Sequence, residues 1–258
     1  MIQSILKDRP TKLFIGFTAF FVANALIAES IGTKLFSMEK IFGMQPVNFT
    51  LFGQSGMSFV LTCGVLLWPL EFVITDIINE FYGPKAVRHI SITAIILISY
   101  AFLMYYISIG IPPADVWLQS SSTQGVENIQ KSYNAVFGQN MRIIFGSLVA
   151  FFISQLVDVK VFHKIKKITG DKHLWLRATG STLVSQIVDS YIVLFIAFLG
   201  VFSWQLILAI GIMNYIYKFV MAIILTPVIY LVENRIENYL GHETANKMKL
   251  AAMGRQEA

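Results

Sequence analysis

Charge and cysteine are both scarce in this chain. Asp, Glu, Lys and Arg make up 14% of its 258 residues, against 55% hydrophobic residues. Soluble domains carry about 25% charged residues, so this chain lacks the polar surface a water-soluble domain of its length needs. The single cysteine, Cys63, excludes any intrachain disulfide and, inside an apolar run, reads as a small core residue. Four histidines (His89, His163, His173 and His242) fall in polar segments without metal-ligand spacing, so no metal site is expected. Neither GxxxxGK[ST] nor GxGxxG occurs, which removes the support for an ATPase or a dinucleotide enzyme. With no nucleophile–base cluster either, neither enzymatic activity nor a cofactor is expected. The first apolar run lacks a small-residue cleavage site and carries Asn24 and Glu29, so it does not read as a signal peptide.

What is abundant is apolar sequence, with a mean hydropathy of +0.64. Six runs stand out: Leu13–Ile31, Met57–Ile78, Ile90–Ile111, Met141–Val157, Thr179–Leu199 and Trp204–Val232. A membrane-crossing helix needs about 20 such residues. The pattern predicts an all-α integral membrane protein, a six-transmembrane-helix bundle forming one domain, with a basic tail at 233–258. Pro227 can kink the last helix. The net charge of +5 is distributed unevenly. Lys7, Arg9, Lys12, Lys85, Arg88, the cluster from Lys160 to Arg177 and the tail cations alternate with loops holding only Lys34, Lys40 and Lys131. Alternation of this kind orients membrane proteins with basic loops inside, so both termini are expected in the cytoplasm. It accounts for the basic balance without a nucleic-acid partner. Between the third and fourth runs, Pro112–Asn140 reads as a long outer loop with a short interfacial helix over Val126–Phe137. Val47–Gly53 is too short to cross and reads as interfacial or re-entrant.

Several polar residues interrupt the runs. The pentapeptide Ser-Gln-(Leu/Ile)-Val-Asp occurs twice, at Ser154–Asp158 and Ser185–Asp189. Gln155 with Asp158, and Gln186 with Asp189, are three residues apart and share a helix side. A carboxylate at membrane depth costs roughly 2.5–3.5 kcal/mol on insertion scales, so it marks a partner, an ion or a substrate. Asn24 and Glu29 lie in the first run. Asp76, Asn79 and Glu80 end the second, with Glu71 higher in the same helix. Lys218 sits near the middle of the sixth. Asp76, Glu80 and Asp158 are close enough to a cytoplasmic end to reach headgroup water, whereas Asp189 and Lys218 are deeper and are kept most cheaply as an ion pair. Gln155, Gln186 and Asn24 serve equally well as interhelical hydrogen-bond glue. Taken together, polar groups on five of six spans point to an aqueous cavity near the bundle centre that binds a polar solute. Gly16, Ala19 and Ala23 form a small-residue face suited to close helix packing, within the chain or with a partner.

These residues resemble the queuosine precursor transporter family, also called the vitamin uptake transporter family. Its pattern is read here in Asn24, in Asp76-Ile77-Ile78-Asn79-Glu80-Phe81-Tyr82-Gly83, in Gln155–Asp158 with Val161-Phe162, in Trp175-Leu176-Arg177, in Gln186–Asp189, and in Lys218 followed by Thr226-Pro227. The resemblance covers Leu13 to Val232. It implies import across the cytoplasmic (inner) membrane of a small 7-deazaguanine, such as 7-cyano- or 7-aminomethyl-7-deazaguanine or queuine, for tRNA queuosine modification. It implies a site drawn from Asn24, Asp76, Asn79, Glu80, Gln155, Asp158, Gln186, Asp189 and Lys218. Asp189 would grip the donor edge of the base, with Lys218 as its counter-ion when empty, and Asp158, Asp76 and Arg177, with Glu29, would act in gating. Membrane lipid is the surrounding partner, and a homodimer is compatible with the bundle. The competing reading is a substrate-binding subunit of an energy-coupling-factor importer, which needs a separate ATPase module docked on a face such as Ala19/Ala23.

Overall fold

The computed structural model describes residues 8–32, 34–119, 125–138, 141–170 and 173–253. The Ser120–Thr123 tract, Lys7, Lys172 and Arg255 lie outside them. Helix α1 spans Arg9–Ile31. It starts where Asp8 accepts the Thr11 backbone N–H at 3.0 Å and where Pro10, which has no N–H to satisfy, occupies the first turn.

After α1 the chain turns to short extended pieces. Strand β1 (Leu35–Ser37) is followed by the one-turn helix α2 (Met38–Ile41), then β2 (Phe49–Leu51), β3 (Gln54–Met57) and β4 (Val60–Thr62). β1 pairs antiparallel with β4, and β2 with β3. The β2–β3 turn has positive φ at both Phe52 (49°) and Gly53 (78°), the backbone of a tight primed hairpin turn. The Val47–Gly53 stretch is therefore part of a hairpin. Met57–Leu67, expected as the start of a helical span, is instead strand followed by a 3₁₀ turn at Cys63–Leu66. An apolar run by itself does not distinguish strand from helix.

Helix α3 runs from Trp68 to Gly110, with Pro69 in its first turn. At about 65 Å it is twice the thickness of a bilayer core, but it is broken at Gly83, where φ is 79° and ψ 178°. That backbone is open essentially to glycine alone, and Pro84 restarts the helix without needing a hydrogen bond for its nitrogen. The chain reverses at this break. Tyr82 Oη donates to Pro10 O at 2.7 Å at one end of α1. At the other end Gly64 lies against Ala28, and the Tyr105 hydroxyl meets Ser30 at 3.2 Å. No loop residues are spent on the turn.

Helices α4 (Asp115–Gln119) and α5 (Ile129–Phe137) follow, the latter within the stretch expected as interfacial helix. Then come α6 (Met141–Thr169), α7 (Leu174–Phe198), α8 (Trp204–Leu240) and α9 (His242–Ala252). α6 continues well past Val157, so Lys160, Lys164, Lys166 and Lys167 are helical and not loop residues. α6 and α7 form the most extensive helix pair, α7 packs on α8, and α1 packs on α3. Arg142 at the start of α6 donates to the free carbonyls of Ile196 and Leu199 at the end of α7, where a cation complements the helix dipole. One apolar cluster joins Phe21 and Ala25 of α1 to Ile78, Ile90 and Ile98 of α3 and Phe151 of α6. A second joins Ile77 and Phe81 of α3 to Phe162, Ala178 and Ile236.

Five helices among the described residues, counting α5–α6 as one run and α3 as one helix, are long and apolar enough to cross a membrane. The protein is a multi-pass helical membrane protein. α9 falls in the stretch read from sequence only as a basic tail, and its end covers the Gly83 break: a Cβ on Gly83 would lie 3.3 Å from the Ala252 backbone.

Candidate functional site

Polar side chains line the bundle interior in tiers, four of the five including a residue of α6. In the tier nearest Arg142, Ser147 donates to Glu29 at 2.5 Å. Next, Lys218 Nζ lies 2.5 Å from Asp189, and Ser154 donates to the second oxygen of Asp189 at 3.4 Å. The opposite-charge pair expected from the depth of both residues is present. A third tier joins α1 to α3: Asn24 Nδ2 donates to Glu71 Oε2 at 2.8 Å and to Leu67 O at 3.1 Å.

One turn on, Gln155 donates to Thr75 Oγ1 at 3.4 Å, and Ser185 donates to Asp158 at 3.1 Å. Asp76, on the same α3 segment as Thr75, lies within electrostatic reach of Asp158, Glu80 and Arg177. Asn79 Oδ1 meets His163 Nε2 at 2.8 Å. The last tier is a clasp. Arg177 donates to Glu80 through Nε (3.1 Å) and Nη2 (2.8 Å), and Lys166 adds a third bond at 2.9 Å. All three side chains are 0–1% exposed. A forked guanidinium on a carboxylate, supplemented by a second cation, is the arrangement that makes a buried ion pair tolerable.

The helical register explains this alignment. Gln155, Asp158, Phe162 and Lys166 follow one another at three- and four-residue steps and so share a face of α6. Arg177, Ser181 and Ser185 do the same on α7. Because α6 and α7 are antiparallel, the two pentapeptides meet head to tail: Ser154 bonds the Asp of the second copy, and Ser185 the Asp of the first.

The tiers are not saturated. Glu71 Oε1, Asp76 Oδ1, Asn79 Nδ2, Gln155 Oε1, Gln186 Oε1 and Ser190 Oγ are buried without a hydrogen-bond partner among the described residues. Buried polar groups are rarely left so, since each costs about 1–3 kcal/mol. Four of the six are carbonyl-type acceptors, so the interior is poised for a molecule rich in N–H donors. An apolar cleft lies elsewhere. It is a groove of about 540 Å³ lined by Leu13, Gly16, Phe17, Leu70, Val73 and Val228, and its apolar walls fit lipid contact better than a polar solute.

The model for the family described as "Putative vitamin uptake transporter" matches residues 62–232, from β4 to most of α8. That stretch contains every tier residue above except those of α1. The chain belongs to the vitamin uptake transporter family. Members of this family are transporters and not enzymes. A "Probable queuosine precursor transporter" of Bacillus subtilis is 33% identical over 179 residues, covering 69% of this chain and 73% of its own. One from Haemophilus influenzae is 28% identical over 65% of this chain and 66% of its own. The "Queuosine precursor transporter" of Escherichia coli is 26% identical over 76% of this chain and 82% of its own. No solved structure matches.

The structure places Asp76, Asn79, Gln155, Asp158 and Gln186 in the lower interior, and Asp189 with Lys218 above them. Glu80 and Arg177 lie against each other in the clasp, Asn24 lies on Glu71, and Glu29 lies on Ser147. Sequence reasoning assigned no role to Lys166 or His163, and none to the serines of the repeat. The step pattern from Gln155 to Lys166 carried the signal for Lys166, but counting it as a loop cation concealed it.

Proposed function

We infer that this protein imports queuosine precursors, that is 7-deazaguanine bases, across the cytoplasmic membrane. The observation that carries the reading is the set of buried, unpartnered acceptors on Asp76, Gln155 and Gln186 between α3, α6 and α7. A guanine-like edge offers a ring N–H and an exocyclic amine, two donors that one carboxylate accepts together. The printed names of the relatives support the same cargo class. Asp158, Gln155 and Gln186 take the base, Asp189 joins them when Lys218 swings away, and the Glu80–Arg177–Lys166 clasp closes the path at the basic end.

The chain crosses the membrane six times, because α3 folds back on itself at Gly83. Both termini lie in the cytoplasm. In support, Arg9 donates to Tyr239 O, which brings the start of α1 and the end of α8 to the end of the bundle where Lys166 and Arg177 also lie. Reporter fusions after Met253 and between Pro112 and Asn140 are expected on opposite sides, and the same side for both would overturn the topology. The transport reading is tested by uptake of labelled deazaguanines into cells unable to make queuosine, with and without a proton gradient. Uptake indistinguishable from cells lacking the protein would refute it.

A second reading, a substrate-binding subunit of an energy-coupling-factor importer, is favoured by one observation: Gly16, Ala19 and Ala23 face outward on α1. Co-purification of an ATPase module would favour it, and full uptake by the purified protein alone would exclude it.

A further inference from the structure

Glu71 stands outside the group assigned to the cargo, and its surroundings are unlike those of the other interior acids. It is 0% exposed and makes no ion pair among the described residues. Asn24 Nδ2 donates to Oε2 at 2.8 Å, and Oε1 has no partner among those residues. Water is kept away by aromatic rings. Trp68, three residues before Glu71, packs on Phe151, and Phe21, three before Asn24, meets the same ring. The titratable groups of the surrounding elements are committed to other partners: Glu29 of α1 to Ser147, Asp158 of α6 to Ser185, and Lys218 of α8 to Asp189 of α7. Tyr217 of α8 points its hydroxyl to Val65 O at 3.5 Å. Cys63 in the adjoining 3₁₀ turn and Asp76 further along α3 bring no positive charge.

A bare carboxylate in such a place is strongly unfavourable, and a proton removes the charge. The bonding fits the acid form: Oε2 accepts from Asn24 as the carbonyl oxygen, which leaves Oε1 for the proton. Glu71 also lies in the first turn of α3, where the positive end of the helix dipole meets the carboxylate left when the proton departs. Acids at membrane depth with these properties build proton relays in transporters. The same turn reaches the cargo residues. Thr75 Oγ1 donates to Glu71 O at 2.9 Å and accepts from Gln155 at 3.4 Å.

We propose that Glu71 is a proton-binding site that couples import to the proton gradient, Oε1 taking one proton from the outer side with each cargo and releasing it to water on the cytoplasmic side. The inference rests on the transport reading above and adds the ion that drives it. The sealed interior accepts Glu71 only when neutral, so closure around the cargo waits for the proton. Its release leaves a charge that the sealed form does not hold, and the bundle reopens.

The test uses the full-length protein in proteoliposomes and labelled 7-cyano-7-deazaguanine, whose side arm carries no charge. Gradient-driven accumulation is compared, within each protein, with exchange against unlabelled compound in the absence of a gradient. One pH unit, acid outside, supports up to about tenfold accumulation at one proton per cargo. Wild type is expected to approach that level and to lose it on adding a protonophore. Glu71→Gln keeps the shape of the protonated acid but has no proton to release, so it should exchange the compound without accumulating it. Because the amide stands in for the neutral acid, the variant should also extract and melt like wild type. Exchange by wild type that ignores the gradient would overturn the proton site and leave the transport reading standing. So would gradient-driven accumulation by Glu71→Gln, a folded variant without exchange, or a variant that fails to fold. Neither exchange nor accumulation by wild type would overturn both readings.

Discussion

Asp158 and Asp189 close the same pentapeptide on neighbouring antiparallel helices, and each accepts a hydrogen bond from the serine of the other copy. Their wider surroundings differ. Asp189 has Lys218 at 2.5 Å and a side chain 22% exposed. Asp158 is sealed, with a second acid, Asp76, as its charged neighbour and no cation paired with it among the described residues. Nearly identical local sequence therefore yields one ion pair and one acid without a cation partner among the described residues, because the third helix differs: α8 supplies a lysine to one copy and α3 an aspartate to the other. A repeat fixes which side chains face each other, and the flanking helices set their electrostatics.

The largest effect expected from breaking this difference is at Lys218. Lys218→Met leaves Asp189 without its counter-charge; truncating one partner of a fully buried pair costs about 3–5 kcal/mol, which is the upper bound for this part-buried one. Little monodisperse protein should survive detergent extraction and size-exclusion chromatography. The double variant Asp189→Asn/Lys218→Met removes both charges and is expected to recover wild-type yield. Asp158 has no cation to strand, so Asp158→Asn should extract and melt like wild type, yet its uptake should fall roughly tenfold to more than a hundredfold. That loss corresponds to one charge-assisted hydrogen bond of about 1.5–3 kcal/mol. The smallest effect is at the serines. Ser185→Ala removes a 3.1 Å bond and Ser154→Ala a 3.4 Å one, each worth about 0.5–1.5 kcal/mol. The melting temperature should drop in both, and further for Ser185→Ala.

The pairing of Asp189 with Lys218 was legible in the sequence because two opposite charges in separate apolar runs have few cheaper solutions. The apolar runs themselves were legible, and so was the repeat. Three features were not. The turn between the second and third runs uses no loop: Gly83 alone takes a backbone that other residues avoid, and a hydropathy reading expects polar connectors. Lys166 read as a loop cation because apolar content drops after Val157, while the helix continues and carries Lys166 inward to Glu80. Glu71 stood unassigned above the Asp76–Glu80 motif, and its partner Asn24 is 47 residues away on another helix, a contact that no local spacing encodes.

The central claim is that the two pentapeptides together hold the cargo. The most direct measurement is the rise in melting temperature that a 7-deazaguanine produces in purified protein. A ligand that binds only the folded state stabilises it by about 2.7 kcal/mol at a hundredfold excess over its Kd. The account predicts a clear rise for wild type and a rise cut to about half or less in either Asp158→Asn or Asp189→Asn/Lys218→Met, both folded. A rise equal to wild type in both variants would contradict it, making the repeated carboxylates scaffolding and placing the base elsewhere.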